Sequence, residues 1–462
     1  MQFNSPLFLW SFLPCVILIS FIIKPEYGNI FILIASLFFY AWNAQSDFIL
    51  LLCIVIVSWI IAVCMEKRAK YKKIILAIGL CGNISLLLYF KYYESIIELI
   101  MSSEVTIVNV LLPLGISFVI FRSISYILDV FWNKSEAQTN IFELALYLTF
   151  FPQVVSGPIE KYHDFETQLV KRQMNIQNIV LGVQRFSCGL AKKVLIANYL
   201  EEGFNELFQK DFAIFSCGEA WLGALIYSLQ IYYDFSGYSD MAIGIGRMLG
   251  FNTIENFNYP YIASSIQDFW RRWHISLSTW FRDYVYIPLG GNRKGNSRTY
   301  INIIIVFALT GLWHGASSNF LIWGLYYAFF LIIERAGVGK ILSKHDFFAH
   351  IYSCIVILFG WVIFKNSNVT DIVAYSKHMF CLWKYGLFPQ QFVWDVSGKT
   401  VMTIIIAILG CGIIQLFTAK YSKMKEKWIQ SIGSPIFCGL LLFLCMMELA
   451  NNTYYPFIYF NF

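Results

Sequence analysis

The chain has 462 residues, of which 58% are hydrophobic, 18% are aromatic and only 13% are charged. A soluble domain carries about 25% charged residues, so this composition excludes an ordinary water-soluble globular protein. The formal net charge of +6 suits the excess of Lys and Arg found in the cytoplasmic loops of membrane proteins, and it does not indicate a nucleic-acid partner.

Apolar runs recur along the whole chain, and several approach the roughly 20 residues that a helix needs to cross a bilayer. They are continuous and lack the alternation typical of membrane β-strands, so helices are predicted. We predict an all-α polytopic membrane protein with about 11–13 membrane segments, some of them re-entrant or interfacial. No internal repeat or linker indicates a second domain, so residues 1–462 are predicted to form a single membrane domain. The predicted segments are 6–23, 29–42, 47–65, 74–90, 107–132, 141–157, 178–199, 213–235, 300–315, 318–334, 349–365, 401–418 and 433–449.

The basic loops predict the orientation of these segments. Residues 67–73, KRAKYKK, form the densest basic loop, which the positive-inside rule places in the cytoplasm. Three segments precede this loop, so the N-terminus is predicted to lie outside. Counted from the C-terminal end, the basic stretches 290–298, 335–344 and 420–427 fall on one side of the membrane by helix parity, and because all three are basic that parity is self-consistent.

Arginine, tryptophan and histidine are concentrated in residues 267–295, QDFWRRWHISLSTWFRDYVYIPLGGNRKG. On a helix with 100° per residue, the aromatic and leucine side chains from Trp270 to Tyr284 fall within an arc of about 100°, and most polar side chains lie opposite. SIQD at 265–268 resembles a capping box, and Pro288 marks the end. The pattern predicts one amphipathic helix in the membrane interface.

Two interpretations of this helix remain open: an inert membrane anchor, or the edge of an active site. His274 falls at the border of the aromatic arc and is predicted to face the protein. Asp268 is predicted to pair with Arg271 or Arg272, which follow it at helical spacing.

Six histidines occur in the chain. Those in or near predicted loops are expected at the surface: His163, His345, His350 and His378. His314 differs, because it lies about 21 Å along a helix that starts at Tyr300, beyond the midplane of a core of about 30 Å. Such a residue is a candidate functional group, and a neutral imidazole there could act as a general base on a hydroxyl. The alternative is a structural histidine, with Gly311 and Gly315 forming a helix-packing face.

Four charged residues interrupt apolar stretches: Arg122, Asp129, Asp234 and Asp240. Structural ion pairs are the favoured interpretation, because buried charges need partners. No CxxC pair occurs and no cysteine lies beside a histidine at metal-ligand spacing, so no bound metal is expected, and no bound cofactor is expected either. The absence of GxSxG gives no support to a serine acyl-enzyme.

Three stretches, in this order, resemble the membrane-bound O-acyltransferase family: YYDFSGYSDMAIG at 232–244, the block 257–295, and GLWHGA at 311–316. SYILDV at 125–130 and FPQVVSGPIEKY at 151–162 resemble the alginate O-acetylase branch of that family. The similarity extends over most of the chain. Residues 1–100 and the tail beyond about 340 match only as hydrophobic helices.

The resemblance implies a helical bundle with a thinned centre that is entered from both faces. It implies that His314 is the catalytic residue and that His274 occupies the second conserved polar position. Arg271, Arg272 and Arg282, together with Trp273 and Trp313, are further candidates for substrate binding.

The resemblance also implies the substrates and partners. The donor is expected to be a cytoplasmic acyl thioester, either acetyl-coenzyme A or an acyl carrier protein. The acceptor is expected to be an exported or cell-surface polysaccharide, reached directly or through an exported partner protein. The expected location is the bacterial cytoplasmic membrane, with the lipid bilayer around the chain. D-alanyl transfer to teichoic acid is the close alternative, and a transporter of acyl groups or glycans is the alternative of another class.

Overall fold

A computed structural model describes residues 1–100, 111–172, 174–208, 215–388, 396–414, 433–451 and 456–457. Within these ranges the regular elements are helices and no strand occurs, which confirms the predicted all-α class. The basic stretch 420–427, used above for orientation, lies outside the described residues. The chain forms two compact units, one of residues 1–189 and 238–255 and the other of residues 190–237 and 256–462. The organisation of residues 1–462 as a single domain stays a prediction.

Membrane-crossing helices occur in both units. Five helices of the described residues are long and apolar enough to cross a bilayer: Phe48–Lys67, Ala69–Ile97, Ser318–Leu342, Asp346–Lys365 and Gly433–Asn451. Phe8–Ile22 and Gly398–Ile413 are shorter apolar helices. Large apolar side chains such as Ile49, Ile78 and Phe329 are exposed on these helices, as expected for surfaces that face lipid. The chain is a multi-pass membrane protein.

The helices of the first unit are α1 (Leu13–Ile22), α2 (Pro25–Asn43), α3 (Phe48–Lys67), α4 (Lys72–Ile100), α5 (Ile116–Phe131), α6 (Ile141–Thr149), α7 (Tyr162–Lys171) and α8 (Ile176–Ala191). Helix α5 packs against α3, α4, α6 and α7 and is buried along nearly its whole length. Helix α6 ends at Thr149, whereas the apolar pattern predicted a segment to 157. Buried turns follow from Phe150, because Pro152 cannot continue the helical hydrogen bonding.

The helices of the second unit are α9 (Asn198–Leu207), α10 (Cys217–Met248), α11 (Ile266–Arg272), α12 (Ile275–Phe281), α13 (Asn296–His314), α14 (Ser318–Ile333), α15 (Gly339–Leu342), α16 (Asp346–Lys365), α17 (Val369–Phe380), α18 (Leu382–Tyr385), α19 (Gly398–Ile408) and α20 (Gly433–Asn451). Residues of α10 from Tyr238 onward belong to the first unit.

Small residues bring α13 and α14 close together. A Cβ atom added at Gly311 would overlap the backbone of Phe320, and one added at Gly324 would overlap the backbone of Phe307. A Cβ at Gly315 would lie 2.9 Å from the Phe320 ring. The predicted packing role of Gly311 and Gly315 is therefore confirmed, and it fixes the end of α13 against the start of α14.

An aromatic core holds the second unit together. Trp270, Trp273, Trp323, Tyr327 and Trp361 are buried in one continuous cluster. Ring contacts join α11 to α14 and α16, with Trp273 and Trp361 at 4.7 Å and Trp270 and Tyr327 at 5.1 Å between centroids. Rings of this size bury much apolar area, so they set the positions of the helices that carry His274 and His314.

Candidate active site

The arginine- and tryptophan-rich stretch is not one helix, and that prediction is wrong. Helix α11 ends at Arg272, His274 has a left-handed backbone with φ of 43°, and α12 begins at Ile275. A non-glycine residue in this conformation is uncommon and persists only where its surroundings hold it. The sequence prediction assumed a helix with 100° per residue across His274, and the backbone is not helical at that residue.

Other features predicted for the stretch are confirmed. Ser265 caps α11, with its Oγ accepting from the Asp268 backbone N–H at 3.0 Å. Asp268 pairs with Arg272 at 2.9 Å rather than with Arg271. The side chains assigned to the inward arc are buried: Trp270, Trp273, Leu277, Trp280, Phe281 and Tyr284. They are buried because α11 and α12 each place their apolar side against the unit.

Residues 256–258 hold the break at His274 from both sides. The Asn258 backbone N–H donates to the Arg272 carbonyl at 2.9 Å, and the Ile275 backbone N–H donates to the Asn256 carbonyl at 3.0 Å. The Asn256 side chain reaches past the break, where its Oδ1 accepts from the Ser276 backbone N–H at 3.2 Å. These bonds fix a backbone conformation that an isolated chain would disfavour.

The His274 ring is enclosed by aromatic residues and by Asn256. It is 1% exposed, and its Nδ1 lies 3.1 Å from Asn256 Oδ1. Phe235 packs edge to face on the ring at 4.8 Å, and Trp313 lies 6.3 Å away. Burial lowers the pKa of His274 to about 3, so the imidazole is neutral at physiological pH.

His314 is the last residue of α13 and lies in an aromatic cage. It is 5% exposed and surrounded by Trp313, Trp323 and Phe364, whose ring centroids lie 4.7, 5.1 and 5.0 Å away. Trp313 contacts both histidine rings and so links His274 to His314. The fold therefore brings together two histidines that are 40 residues apart in sequence.

A cavity of about 1020 Å³ lies within the second unit; Ile275 and Thr310 line it, whereas His274, Trp313 and His314 do not. One wall follows α13 along Ile303, Phe307 and Thr310, and Thr310 precedes His314 by about one helical turn. Four basic residues line the cavity, together with the acidic Glu334 and Asp346: Arg271, Arg282, Arg335 and Lys340. Such a space, apolar along the helix and basic elsewhere, suits a ligand with an apolar arm and a negative charge.

The predicted arginines divide into two groups. Arg271 is exposed and lines the cavity. Arg282 also lines it and bonds to Asp283 at 2.6 Å. Arg272 is tied to Asp268 and donates to the Asn258 carbonyl, and it does not line the cavity.

The two predicted tryptophans also differ. Trp313 contacts both histidine rings, whereas Trp273 is enclosed by core rings, with Phe257 at 5.0 Å and Phe269 at 5.7 Å. Trp273 has the environment of a core side chain.

Sequence reasoning missed three residues at this site. The basic residues Arg335 and Lys340 were used only to predict orientation, although they line the cavity. Glu334 closes the N-terminus of α11, because its carboxylate oxygens accept from the backbone N–H groups of Ile266 and Gln267 at 2.6 and 3.0 Å. Their proximity depends on how α14 folds back on α11, which no local pattern encodes.

One of the four surface histidines is misplaced by the sequence prediction. His378 is buried, with Nδ1 at 2.8 Å from the Phe215 carbonyl and its ring stacked on Tyr385. It lies in α17 rather than in a loop, and the amphipathic helix turns it inward. His345 and His350 are exposed, and the His163 side chain is partly exposed.

The structural interpretation of the buried charges is confirmed for the aspartates. Asp234 pairs with Lys193 at 2.6 Å, and Asp240 pairs with Arg185 at 2.7 Å. Asp129 lies 3.2 Å from His163. Arg122 has no carboxylate within ion-pair distance in the described residues, and its guanidinium instead stacks 4.4 Å above the Tyr147 ring.

Known proteins resemble this chain over all or part of its length. Residues 54–370 match the membrane-bound O-acyltransferase family. A probable alginate O-acetylase of Pseudomonas putida is 36% identical over all of both chains. A peptidoglycan O-acetyltransferase of Helicobacter pylori is 34% identical, covering 100% of this chain and 97% of that protein. A teichoic acid D-alanyltransferase of Bacillus subtilis is 31% identical over 48% of this chain and 58% of its own length.

The family match and the full-length identities agree with the all-α membrane fold. The chain belongs to the membrane-bound O-acyltransferase family and is an acyltransferase. Its GLWHGA and WRRWH motifs lie in the matched region, and in the structure the histidines of both motifs contact Trp313.

Proposed function

We propose that the chain transfers an acyl group, most simply acetyl, from a cytoplasmic thioester toward an exported or cell-surface polysaccharide, directly or through a partner protein. The cavity carries this proposal, because it extends along α13 to Thr310, one turn before His314. A donor bound there would present its reacting end close to the two histidines.

The lining of the cavity supports a phosphate-bearing thioester as the donor. Coenzyme A and the phosphopantetheine arm of a carrier protein both combine anionic phosphates with a narrow, largely uncharged arm. Arg271, Arg282 and Arg335 offer guanidinium groups that pair well with phosphate oxygens. The wall of Ile303 and Phe307 offers apolar surface for the arm and the acyl group.

The proposed chemistry needs one base and no bound cofactor. His314 takes the proton of the acceptor hydroxyl while the hydroxyl oxygen attacks the thioester carbonyl carbon, and His274 assists. The tetrahedral intermediate collapses by breaking the C–S bond, and the leaving thiolate takes the proton from the imidazolium of His314. One O–H and one C–S bond are exchanged for one C–O and one S–H bond.

The relatives favour acetyl over D-alanyl as the group transferred. The acetyltransferases of Pseudomonas putida and Helicobacter pylori match along essentially their whole length, whereas the D-alanyltransferase of Bacillus subtilis matches about half of this chain. The names of the first two proteins specify alginate and peptidoglycan, so we propose a polysaccharide acceptor. A transporter without chemistry is disfavoured, because the chain belongs to a family of acyltransferases.

The proposed location is the bacterial cytoplasmic membrane, with the N-terminus outside. The cavity is lined by Arg335 and Lys340, which belong to a loop that the positive-inside rule places in the cytoplasm. A cytoplasmic entrance would give the cavity access to coenzyme A or to a carrier protein.

The test uses the full chain reconstituted in proteoliposomes with acetyl-coenzyme A and either oligoalginate or soluble peptidoglycan fragments. Thiol release and ester formation on the acceptor are measured together. Replacing His314 with Gln should lower both rates by at least about 100-fold, the lower range for loss of a general base. Replacement of the exposed His345 with Gln is the matched control and should leave both rates unchanged.

Three results would overturn parts of the proposal. Full activity of a normally inserted H314Q protein would remove His314 from the chemistry. Turnover of a D-alanyl carrier thioester with no turnover of acetyl-coenzyme A would establish the alternative acyl group. Movement of acyl groups across the bilayer with the thioester left intact would indicate transport.

A further inference from the structure

The Asn256 side chain binds His274 in a way that determines which ring nitrogen carries the proton. Asn256 Oδ1 lies 3.1 Å from His274 Nδ1, 3.2 Å from the Ser276 backbone nitrogen and 2.8 Å from Ser276 Oγ. The Ser276 backbone N–H can only donate, so the side-chain atom facing it must be the amide oxygen. The orientation of the amide is thereby assigned from its hydrogen-bond network.

The tautomer of His274 follows from that orientation. An amide oxygen can only accept, so the Nδ1 atom 3.1 Å away must carry the hydrogen. Ser276 Oγ, at 3.4 Å from Nδ1, donates its own hydrogen to Asn256 Oδ1 and therefore also presents lone pairs to Nδ1. In the neutral ring, Nε2 is then an acceptor.

The Nε2 atom of His274 is buried and has no hydrogen-bond partner among the residues that the structure describes. An unpaired acceptor inside a protein is costly, and such atoms are found where a ligand supplies the missing partner. The ring that carries this atom packs against Phe235 and Trp313, and Trp313 also contacts His314.

We infer that Asn256 is a positioning residue, which holds His274 in the Nδ1–H form so that Nε2 accepts a hydrogen bond from a hydroxyl of the acyl acceptor. The inference rests on the proposed function, because it assigns His274 to the acceptor side of that reaction. An Nε2 atom without hydrogen cannot donate to the carbonyl oxygen of the thioester, so His274 orients the hydroxyl and does not stabilise the oxyanion.

The charges around His274 allow this role over the physiological pH range. Burial is the cause that lowers its pKa. Two titratable residues are sequence neighbours of the rings that pack on His274. Asp234 precedes Phe235 and is paired with Lys193, and His314 follows Trp313. His274 therefore stays neutral, and its own protonation should not limit the wild-type rate above pH 5.

The first measurement reports the tautomer without using activity. The full chain is labelled with [¹⁵N]histidine and studied by solid-state NMR in proteoliposomes, and the H274Q variant identifies the His274 signals among the six histidines. The expected spectrum has a protonated Nδ1 and an unprotonated Nε2. A protonated Nε2 in the wild-type protein would overturn the inference, whatever the activity of the enzyme.

The second measurement is the pH–rate profile of Asn256 variants. Asn256→Asp keeps an acceptor oxygen but adds a negative charge beside Nδ1, which stabilises the imidazolium. Because the reaction needs neutral His274, the acid limb of the profile should move to higher pH. Asn256→Ala should lower kcat about tenfold, as expected for the loss of one orienting hydrogen bond, with KM for the donor unchanged.

The matched control is Asn292→Asp, the same change on an exposed side chain in the loop before α13, which should leave the profile unchanged. An unchanged profile in Asn256→Asp, with the expected shift absent, would contradict the positioning role. If the wild-type chain turned over no acyl thioester, the proposed function would fail, and the NMR measurement would still decide the tautomer of His274.

Discussion

The buried ion pair between Lys193 and Asp234 provides the most quantitative prediction for this protein. Lys193 Nζ lies 2.6 Å from Asp234 Oδ1, and both side chains are 1% exposed. The ammonium also donates to the Pro456 carbonyl at 2.9 Å and lies 4.9 Å above the Phe457 ring. In Asp234→Asn the ammonium loses its hydrogen-bonded carboxylate and keeps the Pro456 carbonyl and the electrostatic attraction of Glu201, so we expect a loss of about 3 kcal/mol in the free energy of unfolding, the lower end for breaking a buried pair.

The assay is denaturant unfolding of the purified full chain in detergent micelles, with two further variants for comparison. In Lys193→Met with Asp234→Leu both charges are absent, so this double variant should be nearly as stable as the wild type. Glu202→Gln removes one partner of the exposed pair Lys399–Glu202 and should cost less than about 1 kcal/mol. An Asp234→Asn cost as small as the Glu202→Gln cost, or a double variant as unstable as the single one, would refute the reasoning.

Three further predictions concern the cavity, a buried carboxyl and helix packing. Arg271→Ala and Arg282→Ala should each raise KM for acetyl-coenzyme A about fivefold, because an exposed charge pair contributes up to about 1 kcal/mol. Steady-state kinetics should show an unchanged kcat and a smaller effect on KM in high salt. Arg298→Ala is the control, since Arg298 is exposed and does not line the cavity. Burial raises the pKa of Glu160 to about 7, although the Gln153 hydrogen bond and Arg122 partly offset this effect. The folded state therefore favours the protonated carboxyl and loses stability as pH rises from about 4.5 to about 7. Glu160→Gln should flatten this pH dependence of the unfolding temperature, and an unchanged dependence would contradict the prediction. Gly311→Ala should lower the unfolding temperature, because the added Cβ meets the Phe320 backbone. Gly82→Ala has open space around the added Cβ and should raise stability by roughly 0.5–1 kcal/mol. Equal effects at the two sites would contradict the close packing of α13 and α14.

Much of the fold could be predicted because the bilayer imposes a simple rule on sequence. Continuous apolar runs such as 47–65 and 349–365 correspond to the helices Phe48–Lys67 and Asp346–Lys365 within a few residues. The prediction failed where burial, not lipid, makes a segment apolar. Residues 150–157 are apolar because they are enclosed by protein, and hydropathy alone does not distinguish an enclosed turn from a membrane helix.

The residues of the candidate site were found from sequence, but their arrangement was not. His314 was identified from its depth in an apolar segment and from the family resemblance, and its aromatic cage depends on Phe364, which is 50 residues further along the chain. The break at His274 was missed because helical periodicity continues across it: Trp270, Trp273 and Leu277 are all buried. The left-handed conformation depends on Asn256 and Asn258, which precede the stretch and have no recognisable spacing to it.

The positions of the two histidines relative to their helices support different roles for them. His314 ends the 19-residue helix α13, where the helix dipole favours a positive charge. His274 precedes the first residue of α12, where the dipole opposes a positive charge, and burial keeps its imidazole neutral. A base must hold a proton until the thiolate leaves, whereas a residue that orients a hydroxyl must stay neutral. Environments that differ in this way suit proton transfer at His314 and hydroxyl orientation at His274. In the proposed mechanism the break between α11 and α12 serves this role, because a continuous helix would not hold His274 at the N-terminal end of α12 with its Nδ1 directed at Asn256.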